Sequence, residues 1–134
     1  MKRSTIIELC AMLGLFVVVT IVWARFASSQ RDRMTPKAGT TFHAFAKEMP
    51  PPKRLAHVDD NSGQKIVWVG ETALLSLPSG PSCYVFDDKG NLIRYNLSTG
   101  DGETTTDDVN AAYKSDEISI DEAKMLLVSS TTGP

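Results

Sequence analysis

The residues through which this chain could do acid–base, nucleophilic or metal chemistry are few: His43, His57, Cys10, Cys83 and the acid pairs Asp87-Asp88 and Asp107-Asp108. Their spacing assembles none of it. The two histidines stand alone, with no Cys or carboxylate at ligand spacing, and read as surface residues. They also fall outside the segment expected to fold, so neither is placed to activate a Ser or Cys. Adjacent carboxylates on a strand or turn point apart and make poor acid–base couples. The acidic stretch from Asp101 invites a calcium reading, but its sixth position is Thr106 and its twelfth Ala112, where a calcium loop needs Gly and Glu. A Gly-rich phosphate loop, a GxSxG elbow, an HExxH helix and a CxxC pair are all missing. Asn96-Leu97-Ser98 matches a glycosylation acceptor in form only, since it overlaps an expected strand. The expectation is a non-enzyme with no catalytic, cofactor-binding or metal-ligating residues, no cofactor and no small-molecule substrate.

Charge divides the chain in two. Residues 1–54 carry 9 Lys and Arg against 3 Asp and Glu, whereas residues 55–134 carry 5 against 13. The acidic half is the one expected to fold, and it would repel phosphate, so nucleic acid is excluded as a partner.

The basic half holds an apolar run from Ile6 to Ala24. As a helix it spans about 28 Å, the thickness of a bilayer's hydrocarbon. Its single charge, Glu8, lies in the first turn, and Trp23 and Phe26 mark the far interface. Lys2 and Arg3 precede it, as in a signal peptide, and Ala27-Ser28-Ser29 could supply a cleavage site. Trp23, Arg25 and Phe26 are poor neighbours for that site, which favours an uncleaved single-pass anchor in the lipid bilayer. Cys10 reads as a small apolar filler of the span. Basic residues flank both ends, so charge alone does not orient the segment. A short basic N-terminus usually stays cytoplasmic, which places the C-terminal domain outside the cytoplasm.

The start Ser4-Thr-Ile-Ile-Glu8-Leu9 before a long apolar stretch resembles the mature N-terminus of a type IV pilin or pseudopilin, with Glu8 at the family's fifth-residue Glu. The resemblance implies a subunit of a secretion or filament apparatus. Arg3 stands where the family has Gly, and Pro36 ends the helix earlier than a pilin stem would.

Residues 27–63 read as a basic linker, with Pro36, a Pro50-Pro51-Pro52 run and a surplus of basic residues suited to anionic headgroups. Inside it, Phe42, Phe45, Ala46 and Met49 fall at helical spacing, enough for a short amphipathic helix that is marginal alone.

From Gln64 the pattern becomes strand-like. Lys65–Val69, Thr72–Leu77, Cys83–Asp87 and Asn91–Leu97 are candidate strands, with a turn at residues 79–82. In the last, Ile93, Tyr95 and Leu97 are expected on one face and Leu92, Arg94 and Asn96 on the other. Asp88, Lys89 and Gly90 form the expected hairpin turn, Gly90 taking the left-handed conformation. The segment Tyr84–Ile93 resembles one unit of the tyrosine-aspartate repeat proteins, without a second copy. Residues 98–108 read as a polar loop, and Asp108–Lys114 as one or two helical turns. Ser119 and Glu122 form a capping box for a final helix whose Ala123, Met125, Leu126 and Leu127 are expected in the core.

The expected organisation is therefore an anchor over residues 1–26, a linker over 27–63, a small α+β domain over 64–129 and a tail over 130–134. In that domain a three- to four-stranded antiparallel meander carries a C-terminal helix. So small a domain is marginal and gains from another protein or from self-association. Protein interaction or scaffolding is the expected role. The alternatives are the pilin-like subunit and a small secreted domain released after Ser29.

Overall fold

The computed structural model describes residues 3–71, 81–97 and 106–129. The chain forms two compact units, Met1–Met34 and Thr35–Pro134. The first is one helix, α1 (Arg3–Met34). Its stretch Thr5–Met34 is long and apolar enough to cross a membrane, with a mean hydropathy of 2.5 in its most apolar window, and none of that window is buried. Thr20, a poor helix former, returns its hydroxyl to the Phe16 carbonyl at 2.8 Å, so its polar group is satisfied within the helix.

The second unit is built on a four-stranded antiparallel sheet in the order β1-β2-β3-β4, with β1 (Arg54–Asp60), β2 (Gly63–Glu71), β3 (Pro81–Asp87) and β4 (Leu92–Asn96). Three helices complete it: α2 (Phe42–Glu48), α3 (Thr106–Lys114) and α4 (Ile120–Ser129). This is the expected α+β meander with a helix packed on it. Both faces of the sheet are buried, which explains why β2 and β3 read as continuous apolar runs. On one face Trp68, Tyr84 and Phe86 receive Phe42 and Phe45 of α2. On the other, Ala56, Val58, Val67, Val69, Cys83 and Val85 pack against Ala112, Val109 and Ala111 of α3.

The linker expectation over residues 27–63 is corrected. Residues 27–34 continue α1, and the second unit begins at Thr35, directly after it. α2 and β1 are parts of the fold, so His43 and His57 lie inside the domain. The physical reason is the aromatic face of the sheet, which gives a seven-residue helix the tertiary packing it cannot supply for itself. Thr41 caps α2, accepting from the Ala44 N–H at 3.4 Å.

Each edge of the sheet is partly stopped by an extended stretch of the chain. Ile118 donates to the Leu55 carbonyl at 2.9 Å beside an Ala56–Glu117 bridge, and Leu92 donates to Thr40 at 3.1 Å beside a Thr41–Asn91 bridge. Such cover reduces the hazard of an open edge. Arg54 secures the first of these: its Nε donates to the Ala112 carbonyl at 2.9 Å and its Nη2 to the Ser115 carbonyl, while Nη1 meets Glu117 at 3.5 Å. A cation there satisfies the orphan carbonyls at the end of α3 and complements its dipole.

Two further expectations change. A bulge in the β3–β4 pairing sets Leu92 opposite Phe86 and Arg94 opposite Val85, so Ile93 is the extra residue. Leu92 thereby joins the face of Tyr95, and Ile93 projects from it, 44% exposed. In α4, Ala123 is fully buried and Leu127 half-buried, whereas Met125 is 65% and Leu126 38% exposed. Residues four apart share a helix face, so the Ala123–Leu127 pair takes the core side and Met125 turns away from it. The candidate strand Thr72–Leu77, residues 79–80 of the following turn, residues 98–105 of the polar loop and the tail from 130 lie outside the described residues.

Candidate functional site

The residues singled out in the sequence fall on separate elements. Ile6 to Ala24 lie in α1. Asp88, Lys89 and Gly90 form the tip between β3 and β4, with Gly90 at φ 81°. A side chain on Gly90 would be strained, and its Cβ would lie 3.4 Å from Leu127 Cδ1 and 3.7 Å from Phe42 Cβ. The carboxylate of Asp87 ties the tip by accepting from the backbone N–H groups of Lys89 (3.0 Å) and Asn91 (2.7 Å). At α4, Ser119 Oγ accepts from the Glu122 N–H at 3.1 Å, which fixes the helix start.

One acid of each pair has structural partners. Asp87 serves the turn, and Asp108, in the first turn of α3, takes both Nε and Nη2 of Arg94 from β4 in a forked pair. That hydrogen bonding raises the guanidinium's pKa further. At the β1–β2 tip, Asp60 accepts from Lys65 Nζ and from both the N–H and Oγ of Ser62, which holds its carboxyl well below the ordinary range. Among the described residues no group of three or more His, Cys, Asp or Glu gathers.

Cys83 is buried on the α3 face and unoxidised. Burial, with the Asp108 carboxylate adding to it, pushes its thiol up to about 12. Since the thiolate is the reactive form, at pH 8 only about one thiol in ten thousand would be ionised. Iodoacetamide at that pH is expected to leave Cys83 unmodified in the folded chain and to label it fully after denaturation. Peptide mapping by mass spectrometry checks this, and rapid labelling of the folded chain would refute the burial.

A concavity with the makings of a recognition site lies beside β4. It has a volume of about 430 Å³ and is lined by Pro36, Lys37, Ala38 and Gly39 on one side and by Leu92, Ile93, Arg94 and Tyr95 on the other. Thr40 pairs with Leu92, and then Gly39, at φ 77°, lets the preceding residues turn away from the strand. The Thr40 N–H and Oγ both donate to the Lys37 carbonyl, at 3.1 and 2.6 Å, closing that turn. The groove is not legible in the sequence, because its two walls lie more than fifty residues apart and one falls in the stretch expected to be linker. No protein-family model matches the chain, and comparison with curated proteins and with solved structures finds no match either.

Proposed function

We propose that this is a single-pass membrane protein, held by α1, whose second unit binds or scaffolds another protein outside the cytoplasm. The observation that carries the reading is α1 itself. It is apolar, unburied through its membrane-length stretch, and unbroken from Arg3 to Met34. That continuity supports an anchor over a cleaved signal. A signal peptide ends soon after its short apolar region at a small-x-small site, and here Ala27, Ser28 and Ser29 sit within a helix that runs five residues further. A non-enzymatic role is supported by Asp60, Asp87 and Asp108, which are engaged in turns and ion pairs, and by the burial of Cys83. The extracytoplasmic placement rests on the short basic N-terminus.

The test is the state of the N-terminus and the attachment to membrane. The full-length chain is expected in the membrane fraction, resistant to alkaline carbonate, with an intact N-terminus by mass spectrometry. A soluble chain beginning near Gln30 would overturn the anchor. A pilin- or pseudopilin-like subunit is the second reading, resting on Glu8 five residues into a chain that would begin at Ser4. It requires cleavage before Ser4 with N-methylation, which the same measurement detects.

A further inference from the structure

The groove at β4 joins three properties that together define an occupant. The first is backbone polarity. Leu92 points its N–H outward, to Thr40. In an antiparallel ladder inward and outward residues alternate, and the extra residue at Ile93 shifts that alternation by one. Tyr95 is therefore the next residue to present both its N–H and its C=O at the outer edge. The second is that this edge already accepts an antiparallel strand, since Thr41 bridges Asn91 and Leu92 bonds to Thr40. That pairing stops where Gly39 turns the chain aside, and the groove opens there. The third is charge. Of the groove's two cationic lining residues, Arg94 is matched by Asp108, so its basic character comes from the exposed Lys37, with no carboxylate among the described lining residues and on a unit whose sequence is otherwise acidic.

We infer that the groove takes an extended, acidic segment of a partner protein, which adds beside β4 as a short antiparallel strand. Its backbone exchanges two hydrogen bonds with Tyr95, an apolar side chain rests on Ile93 and Pro36, and a carboxylate meets Lys37. Strand addition of this kind draws affinity from the main chain and specificity from alternate side chains. Tyr95 is held for the purpose by stacking on Tyr84, ring centroids 6.3 Å apart and planes inclined by 14°. The inference rests on the protein-binding reading above and names the surface and the chemistry of the partner.

The test uses the full chain in nanodiscs and a capped, fluorescein-labelled heptapeptide of alternating Glu and Val, read by anisotropy. Three comparisons decide it. The Lys/Val peptide of the same pattern is expected to bind at least tenfold more weakly. The Glu/Val peptide N-methylated at alternate residues, in both registers, is expected to lose at least tenfold, because one strand edge can no longer donate. Lys37→Glu, an exposed position, is expected to remove the preference for the acidic peptide. Equal binding of the two charge patterns, or undiminished binding of both N-methylated peptides, would overturn the inference. So would slow hydrogen exchange at the Tyr95 amide without peptide, which would show the edge already occupied by a second copy or by the chain itself. A chain that stays in the membrane yet ignores the peptides fails here alone, whereas one released as a soluble fragment fails the anchor reading.

Discussion

Phe45→Ala is expected to lower the stability of the second unit by about 3–5 kcal/mol, the usual cost of removing a buried aromatic ring. Phe45 is 4% exposed although it sits on a seven-residue helix. Its ring meets Tyr84, Trp68 and Phe86 at centroid distances of 4.5, 5.1 and 5.3 Å, the Trp68 contact edge to face. These geometries add to the area term. For a unit of this size the loss corresponds to a fall in Tm of about 15 °C or more. Thermal unfolding of the full chain in nonionic micelles, followed by the near-ultraviolet dichroism of its aromatic cluster, measures it. Lys47→Ala, on an exposed position of the same helix, is the control and should shift Tm by no more than a degree or two, within the usual range for surface changes. An unchanged Tm for Phe45→Ala would mean that α2 is a tether rather than one wall of the core.

The same residue shows where the sequence was legible and where it was not. The helical spacing of Phe42 and Phe45 is plain in the chain, but spacing does not say what a short amphipathic helix lies on. Its flanks, Pro36 and the Pro50-Pro51-Pro52 run, have the composition of a tether, which also hides β1. That strand carries Arg54, His57, Asp59 and Asp60, and its buried residues Leu55, Ala56 and Val58 break the period of two because they serve both faces. The hairpin from β3 to β4 was readable because turn chemistry is local: Asp87 and Gly90 act within four residues of each other. The bulge at Ile93 was not, since an extra residue is defined only against its partner strand. For the candidate site the limit is the same. That β4 is a strand is legible, but the face its Leu92 takes is set by the bulge, and the wall formed by residues 36–39 is a fact of tertiary structure.

The fork between Arg94 and Asp108 carries the second large effect. Asp108→Ala is expected to cost about 3 kcal/mol, the lower part of the range for breaking a buried pair. The lower part applies because the Arg94 side chain is 25% exposed and recovers some hydration, while that of Asp108 is only 9% exposed. The loss has two sources. Removing the carboxylate leaves a guanidinium beside an apolar layer of Val85 and Cys83, and it strips the first turn of α3 of an acid that complements the helix dipole. Arg94→Met alone should cost less, because an acid at a helix N-terminus keeps backbone N–H groups for company. The double variant Arg94→Met with Asp108→Leu should recover most of the loss, since a buried pair replaced by apolar groups of similar volume is often neutral. Denaturant unfolding of the parent, Arg94→Met, Asp108→Leu and their double variant forms a cycle that isolates the coupling. If Asp108→Leu and Arg94→Met add without coupling, the pair does not fasten α3 to β4. The α3 face would then be held by the packing of Ala112 and Val109 on the sheet alone, and the single variants should lose that face's amide protection no faster than the parent.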